Sequence, residues 1–345
     1  MLPHISSAVP GQTIESMVAA NWLWNSWSSW EDAAKAVFGS YKTKSGSLIH
    51  GGWSEAFEAY KKIPQYREMN RGMSLTQFKT IFWWEWSHRF LGRVIGAVFL
   101  LPLLFFLWRG WIGRDLRWPL FGLLALGGIQ GAVGWWMVSS GLTERVSVSQ
   151  YRLAFHMTLA CVIYAAIVWI VARMSRVEVV VPSRRRLSAV IFVALVLLQI
   201  YLGALVAGLD AGLVYNTWPH IDGALIPSSE RLLFETPLWR NFFENALTVQ
   251  FNHRMLAYLI LLLALWHAYD TNRSTQDPTT RAYATLFVLL IVIQAMVGIA
   301  TLLYAVPLAL ALLHQAMAIL LLTVAVLQAA RPVRETSDMS VLSRA

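Results

Sequence analysis

Seven apolar runs constrain this chain more than any other feature. They lie near residues 91–108, 118–138, 153–172, 187–208, 246–268, 282–303 and 307–330. A helix rising ~1.5 Å per residue needs roughly 20 such residues to cross the ~30 Å hydrocarbon layer of a bilayer. Lipid offers no hydrogen-bond partner, so each run must satisfy its backbone internally, as a helix does. The reading is an all-α integral membrane protein with seven predicted transmembrane helices. Composition agrees: 57% apolar and 14% charged residues, against roughly 45–50% and 25% in soluble domains.

The net charge of +9 raises the question of a nucleic-acid partner, and its distribution answers it. Connections after the first, third and fifth runs, with the tail, hold Arg109, Arg114, Arg117, Arg173, Arg176, Arg184, Arg185, Arg186, Arg273, Arg281, Arg331, Arg334 and Arg344. The alternate connections hold only Arg145, Arg152, Arg231 and Arg240. This is the positive-inside asymmetry, which places the Arg-rich loops and the C-terminus in the cytoplasm or matrix. No basic stretch is interleaved with aromatics outside the membrane boundaries, so no nucleic acid is expected. The single cysteine, Cys161, lies inside an apolar run and reads as a small hydrophobe.

Residues 1–80 are polar and rich in Trp (Trp22, Trp24, Trp27, Trp30, Trp53), without a run long enough to span a membrane or serve as a signal peptide. The charge asymmetry nevertheless puts the start of the first span, near His88, on the outer side. The expectation is that a first transmembrane helix is missing here, through a wrong start site or a shifted reading frame.

An internal repeat organises the remainder. Ser87-His88-Arg89-Phe90-Leu91 matches Asn252-His253-Arg254-Met255-Leu256 at an offset of 165. Ile129-Gln130-Gly131-Ala132-Val133-Gly134 matches Ile293-Gln294-Ala295-Met296-Val297-Gly298 at 164, and Phe155-His156-Met157 matches Leu313-His314-Gln315 at 158. The second half also has a helix before its His-Arg element, without a counterpart in residues 1–80. Two pseudo-symmetric helical bundles of four are therefore the expected intact architecture. Between them, Gly208 to Glu244 forms a long outer segment with Tyr215-Asn216-Thr217-Trp218-Pro219 and Asp222-Gly223 as turn signals.

His88, His156, His253 and His314 all fall at or near the outer ends of runs that descend from the outer side, two per repeat. Paired histidines on facing helices of a bundle are a standard way to hold a haem iron from both faces. Zinc is the weaker alternative, since closed zinc sites want four ligands and neither half supplies nearby Cys or a second carboxylate. Each histidine could instead be a helix-end residue bonded to backbone or headgroup, and that is the reading for His267 and His220.

Arg89 and Arg254 follow their histidines, either snorkelling to headgroups or pairing with haem propionates. Gln130 and Gln294 are mid-membrane amides expected to hydrogen-bond between helices. The repeats differ three residues before the first histidine of each, where Glu85 faces Gln250. A carboxylate against an amide points to proton chemistry in the first half, with an ion pair to Arg89 as the structural alternative.

These residues resemble the haem A synthase family. The likeness covers roughly residues 52–330 and rests on Glu85-x-x-His88-Arg89 with Gly92-Arg93, on His156, His253-Arg254 and His314, on the Gln-x-x-x-Gly helices, and on the Asn216-Thr217-Trp218-Pro219-x-x-Asp222-Gly223 loop. The resemblance implies an oxidoreductase that converts the C8 methyl of haem O to a formyl group, giving haem A for cytochrome oxidase assembly. It implies a substrate haem held through His88 and His156 with Glu85 required for turnover. It implies an electron-relaying haem b held by His253 and His314, with Arg89 and Arg254 as cofactor-binding residues. Implied partners are haem O synthase, an electron carrier, the lipid bilayer and a homo-oligomer, in a bacterial rather than mitochondrial inner membrane. The family's first helix, with its Thr-Arg-Leu-Thr motif, has no match in residues 1–50, so eight helices are expected where seven are seen. The outer-loop cysteine pair of some members is also absent, which points to the subgroup lacking it. The implied organisation is an atypical polar segment with the first outer loop (1–80), a first bundle with the substrate site (81–186), a second bundle with the haem b site (187–331) and a cytoplasmic tail (332–345). A di-haem cytochrome without substrate chemistry and a repeat-built transporter are the alternatives, the first disfavoured by Glu85 against Gln250.

Overall fold

A computed structural model describes residues 53–139 apart from 55 and 59, residues 147–174, and residues 183–330. Expectations that fall on residues 1–52, including the missing first helix, lie outside the described residues. Among those described, seven helices are long and apolar enough to cross a membrane: α1 (Leu75–Trp108), α2 (Arg114–Ser139), α3 (Gln150–Arg173), α4 (Ser183–Gly208), α5 (Ala246–Ser274), α6 (Pro278–Leu303) and α7 (Leu308–Ala330). The chain is an all-α, multi-pass membrane protein. It divides into two compact units, Met1–Arg152 and Leu153–Ala345.

In the first unit, α1 starts well before its apolar run. Ser74 accepts from the Gln77 backbone N–H while the Gln77 side chain accepts from the Ser74 N–H, a reciprocal cap that starts the helix at Leu75. At ~1.5 Å per residue its 34 residues measure about 50 Å, far longer than the hydrocarbon layer. The first turns project from the apolar stretch and bury Phe78 against Phe57, Tyr60 and Ile63, with Trp53 and Tyr66 at the edge. Tyr60 is fully buried there. Burial pushes its phenol up to about 12, against the lowering pull of the Asn70 amide that donates to it at 2.7 Å. Helix α2 packs back on α1.

In the second unit, α4 packs on α5, α5 on α6, α6 on α7, and α7 back on α4. Four helices so connected form a closed ring, with α5 and α7 on one diagonal and α4 and α6 on the other. A cluster of Phe192, Val196, Ile260, Ala264, Phe287, Ile291, Leu322 and Ala325 fills it, and α3 adds Cys161 and Ala165. Cys161 is thus the buried small hydrophobe expected of it. Tyr164 on α3 hydrogen-bonds Thr323 on α7 at 2.8 Å. A second cluster of Ala154, Ala204, Leu205 and Val249 closes the end that carries the 209–245 segment. Asn245 caps α5 by accepting from Leu247 and Thr248, while its amide donates to the Arg231 and Leu232 carbonyls. Inside the segment, Asp222 (φ 55°) and Gly223 (φ 83°) form the tight turn joining Ile221 to Ala224, where two positive φ values explain the Asp-Gly pair.

Candidate functional site

His253 lies on α5 one turn from Val249 of the loop-end cluster and two turns from Ile260 of the central cluster. His314 lies on α7, the diagonal partner of α5. Neither ring is held by its own helix. Gln199 on α4 donates through Nε2 to the His253 carbonyl oxygen at 3.0 Å, and the same nitrogen lies 3.1 Å from Nδ1 and 3.3 Å from Nε2 of the ring. Gln294 on α6 repeats this on His314, 3.0 Å from the carbonyl oxygen and 3.5 Å from Nε2. One turn along each helper helix is a glycine. A β-carbon at Gly203 would stand 3.1 Å from Cε1 of His253, and one at Gly298 would stand 2.8 Å from Cε1 of His314. Real β-carbons are not found closer than ~3.0 Å, so the second position accepts only glycine as the ring now stands.

Sequence reasoning anticipated His253, His314 and Gln294 but passed over Gln199. Its signal was present: Gln199 and Gly203 have the spacing of Gln294 and Gly298, and of Gln130 and Gly134. Among the described residues no group of three or more His, Cys, Asp or Glu is placed to hold a metal ion.

Arg254 is neither at the surface nor free. It is buried, donating to the carbonyls of Thr217 at 2.8 Å, Tyr215 at 3.3 Å and His220 at 3.3 Å, and to Oε1 of Gln250 at 3.2 Å. Gln250 itself donates to the carbonyls of Ala211 at 3.2 Å and Tyr215 at 3.0 Å. Trp218 adds an indole N–H to the Tyr258 hydroxyl at 3.0 Å. The Tyr215–His220 turn is thereby pinned to α5. His220 enters through its backbone, and His267, buried and 3.0 Å from the Ser188 hydroxyl, is structural as expected.

In the first unit, Glu85 accepts from Nε of Arg89 at 2.7 Å, both side chains being largely buried. The ion pair weighed from the sequence is formed. His88, one turn beyond Glu85, is exposed within α1, while His156 is half-buried on α3 of the second unit. His253 and His314 stand on diagonal helices of the same ring. The pairing of His88 with His156 rests on the repeat.

A model of the cytochrome oxidase assembly protein family matches residues 45–326. Among curated proteins, the chain is 61% identical over 280 residues to the Heme A synthase of Bradyrhizobium diazoefficiens, covering 81% of this chain and 78% of that protein. It is 59% identical over 285 residues to a Heme A synthase of Rhodopseudomonas palustris, covering 82% and 78%.

Proposed function

The chain belongs to the cytochrome oxidase assembly protein family, and from that premise we infer that it is an oxidoreductase converting haem O to haem A. The change is a methyl group becoming a formyl group, a four-electron oxidation of one carbon that gains one oxygen atom. Carbon–hydrogen bonds are broken, so protons and electrons must leave a site inside the membrane.

The observation that carries the reading is the second-unit pair: two histidines on diagonal helices, each backed by a glycine where a β-carbon would crowd the ring. These residues fit a b-type haem, which His253 and His314 would hold through their imidazoles. Such a haem supplies one-electron transfer, which suits a relay beside a multi-electron oxidation. Substrate haem O is assigned to His88 and His156 through the repeat. Glu85 is the proton-accepting group, one helical turn from His88, and Arg89 holds its carboxylate in place through the 2.7 Å ion pair. Arg254 serves haem binding indirectly, by fixing the turn at the loop end of the bundle. The proposed setting is a bacterial inner membrane with the C-terminus cytoplasmic. Haem O synthase, an electron carrier and further copies of the chain are the proposed partners.

Co-expression with a source of haem O, followed by extraction and mass analysis of the haems, tests the reading. Haem A is the expected product. Only haem O, from a protein that still shows a b-type spectrum, would refute the synthase reading in favour of an electron-transfer cytochrome.

A further inference from the structure

Between residues 221 and 245 the chain turns its amides inward and its apolar side chains outward. Asn241, fully buried, donates to the carbonyls of Glu235 and Leu238, each at 3.0 Å, and accepts from the Glu235 N–H at 3.0 Å. Asn245 donates to the carbonyls of Arg231 and Leu232, and the Thr248 hydroxyl donates to Leu232 as well. Outside, Leu225, Ile226, Phe234, Leu238 and Trp239 are each more than half exposed, and Phe242 is 47% exposed. The two arginines of the stretch are engaged by neighbours: Arg231 pairs with Asp222, and Arg240 donates to Glu244 at 2.7 Å. An apolar patch of this kind is rare on a surface that faces water. It is what lipid requires, where backbone groups must be satisfied from within. The patch also stands beside a span. The 3-10 turn Leu238–Arg240 runs through the helical turn Asn241–Glu244 into the Asn245 cap of α5. Trp239 and Phe242 thus precede the apolar run that starts at residue 246 by no more than about two helical turns, the level at which aromatic side chains gather in membrane proteins. The stretch is fixed to the bundle, because the Trp239 ring leans on Phe243, which packs against the loop-end cluster.

We propose that residues 225–242 form a foot that inserts Ile226, Phe234, Leu238, Trp239 and Phe242 among the lipids at the headgroup boundary, on the side of the membrane where α5 begins. The partner is the bilayer surface itself. Between residues 221 and 245 two arginines stand against four acids, Asp222, Glu230, Glu235 and Glu244, so anionic headgroups find no attraction here. Insertion is driven by burial of apolar side chains into neutral lipid and is insensitive to salt. Asn245 and Thr248 tie the foot to α5, so the foot fixes the level at which that helix enters the bilayer.

The test places a bimane label at Phe234→Cys, Leu238→Cys or Phe242→Cys in a Cys161→Ala background, using the full-length protein in phosphatidylcholine vesicles. Ser229→Cys, at an exposed polar position of the same stretch, is the reference. Lipids brominated just below the headgroup are expected to remove most of the bimane fluorescence at the three apolar positions, and aqueous iodide little of it. The reference is expected to show the reverse, and both patterns should hold at low and high salt. Each of the three substitutions is at an exposed side chain, so any one that accumulates decides the matter. Strong iodide quenching at the apolar positions, equal to that of the reference, would overturn the proposal. Iodide quenching in vesicles together with protection from a membrane-impermeant maleimide in native membranes would overturn it as well, assigning the face to a protein partner.

Discussion

At the scale of single residues, the contrast between Glu85 and Gln250 has two causes. Gln250 is buried and points both amide hydrogens at carbonyls, those of Ala211 and Tyr215, while its oxygen takes Arg254. A carboxylate there would set oxygen against oxygen. Gln250→Glu is therefore expected to destabilise the protein by about 1–3 kcal/mol, read as a lowered thermal midpoint with faster hydrogen exchange in residues 211–220. An unchanged midpoint would count against the pinning role. Glu85 instead accepts from Arg89, one turn along its own helix, at 2.7 Å. Glu85→Ala should retain the b-type spectrum at wild-type intensity and abolish haem A formation. Haem A at wild-type levels would remove Glu85 from the mechanism.

At the scale of elements, the helices are built to present particular faces. Helices α4 and α6 each offer one amide and one bare backbone patch to a histidine, and the space differs between them. Ala at 298 places its β-carbon 2.8 Å from His314, against 3.1 Å for Ala at 203 and His253. Gly298→Ala should therefore lower the haem-to-protein ratio more than Gly203→Ala does, measured on purified protein by the pyridine haemochrome spectrum. The reverse order would mean that the rings do not stand against these glycines when loaded. Helix boundaries follow the same logic of local chemistry. The apolar run suggested a first span from residue 91, but α1 begins at Leu75 because Ser74 and Gln77 cap it there. Helix α5 begins where its run begins, at Ala246, because Asn245 caps that position.

At the scale of the whole molecule, the arginine asymmetry predicts orientation. Reporter fusions after Arg173, Ser274 and Arg331 should report the cytoplasm, and fusions within 209–245 the opposite side. The inverted pattern would overturn the positive-inside assignment and with it the placing of the loop end outside. The repeat sets the larger organisation, with a His-Arg element and a second histidine in each half. In the second unit this becomes a closed ring of four helices with the histidines on one diagonal.

The sequence by itself determined the class of fold, because an apolar run in lipid has no partner for its backbone except itself. It also singled out four equivalent histidines, because a repeat fixes equivalent positions without reference to contacts. His253 and His314 were legible for that reason, and so was the mismatch of Glu85 with Gln250. Partnerships between distant segments were not legible. Arg254 looked like a headgroup or propionate ligand, since its spacing from His253 says nothing about a turn some 35 residues earlier. Only the folded chain brings the Tyr215, Thr217 and His220 carbonyls onto its guanidinium. Gln199 looked like one polar residue in an apolar helix until the ring of helices laid it on the backbone of His253. Helical periodicity reports which face a residue is on, and tertiary packing alone decides what that face meets.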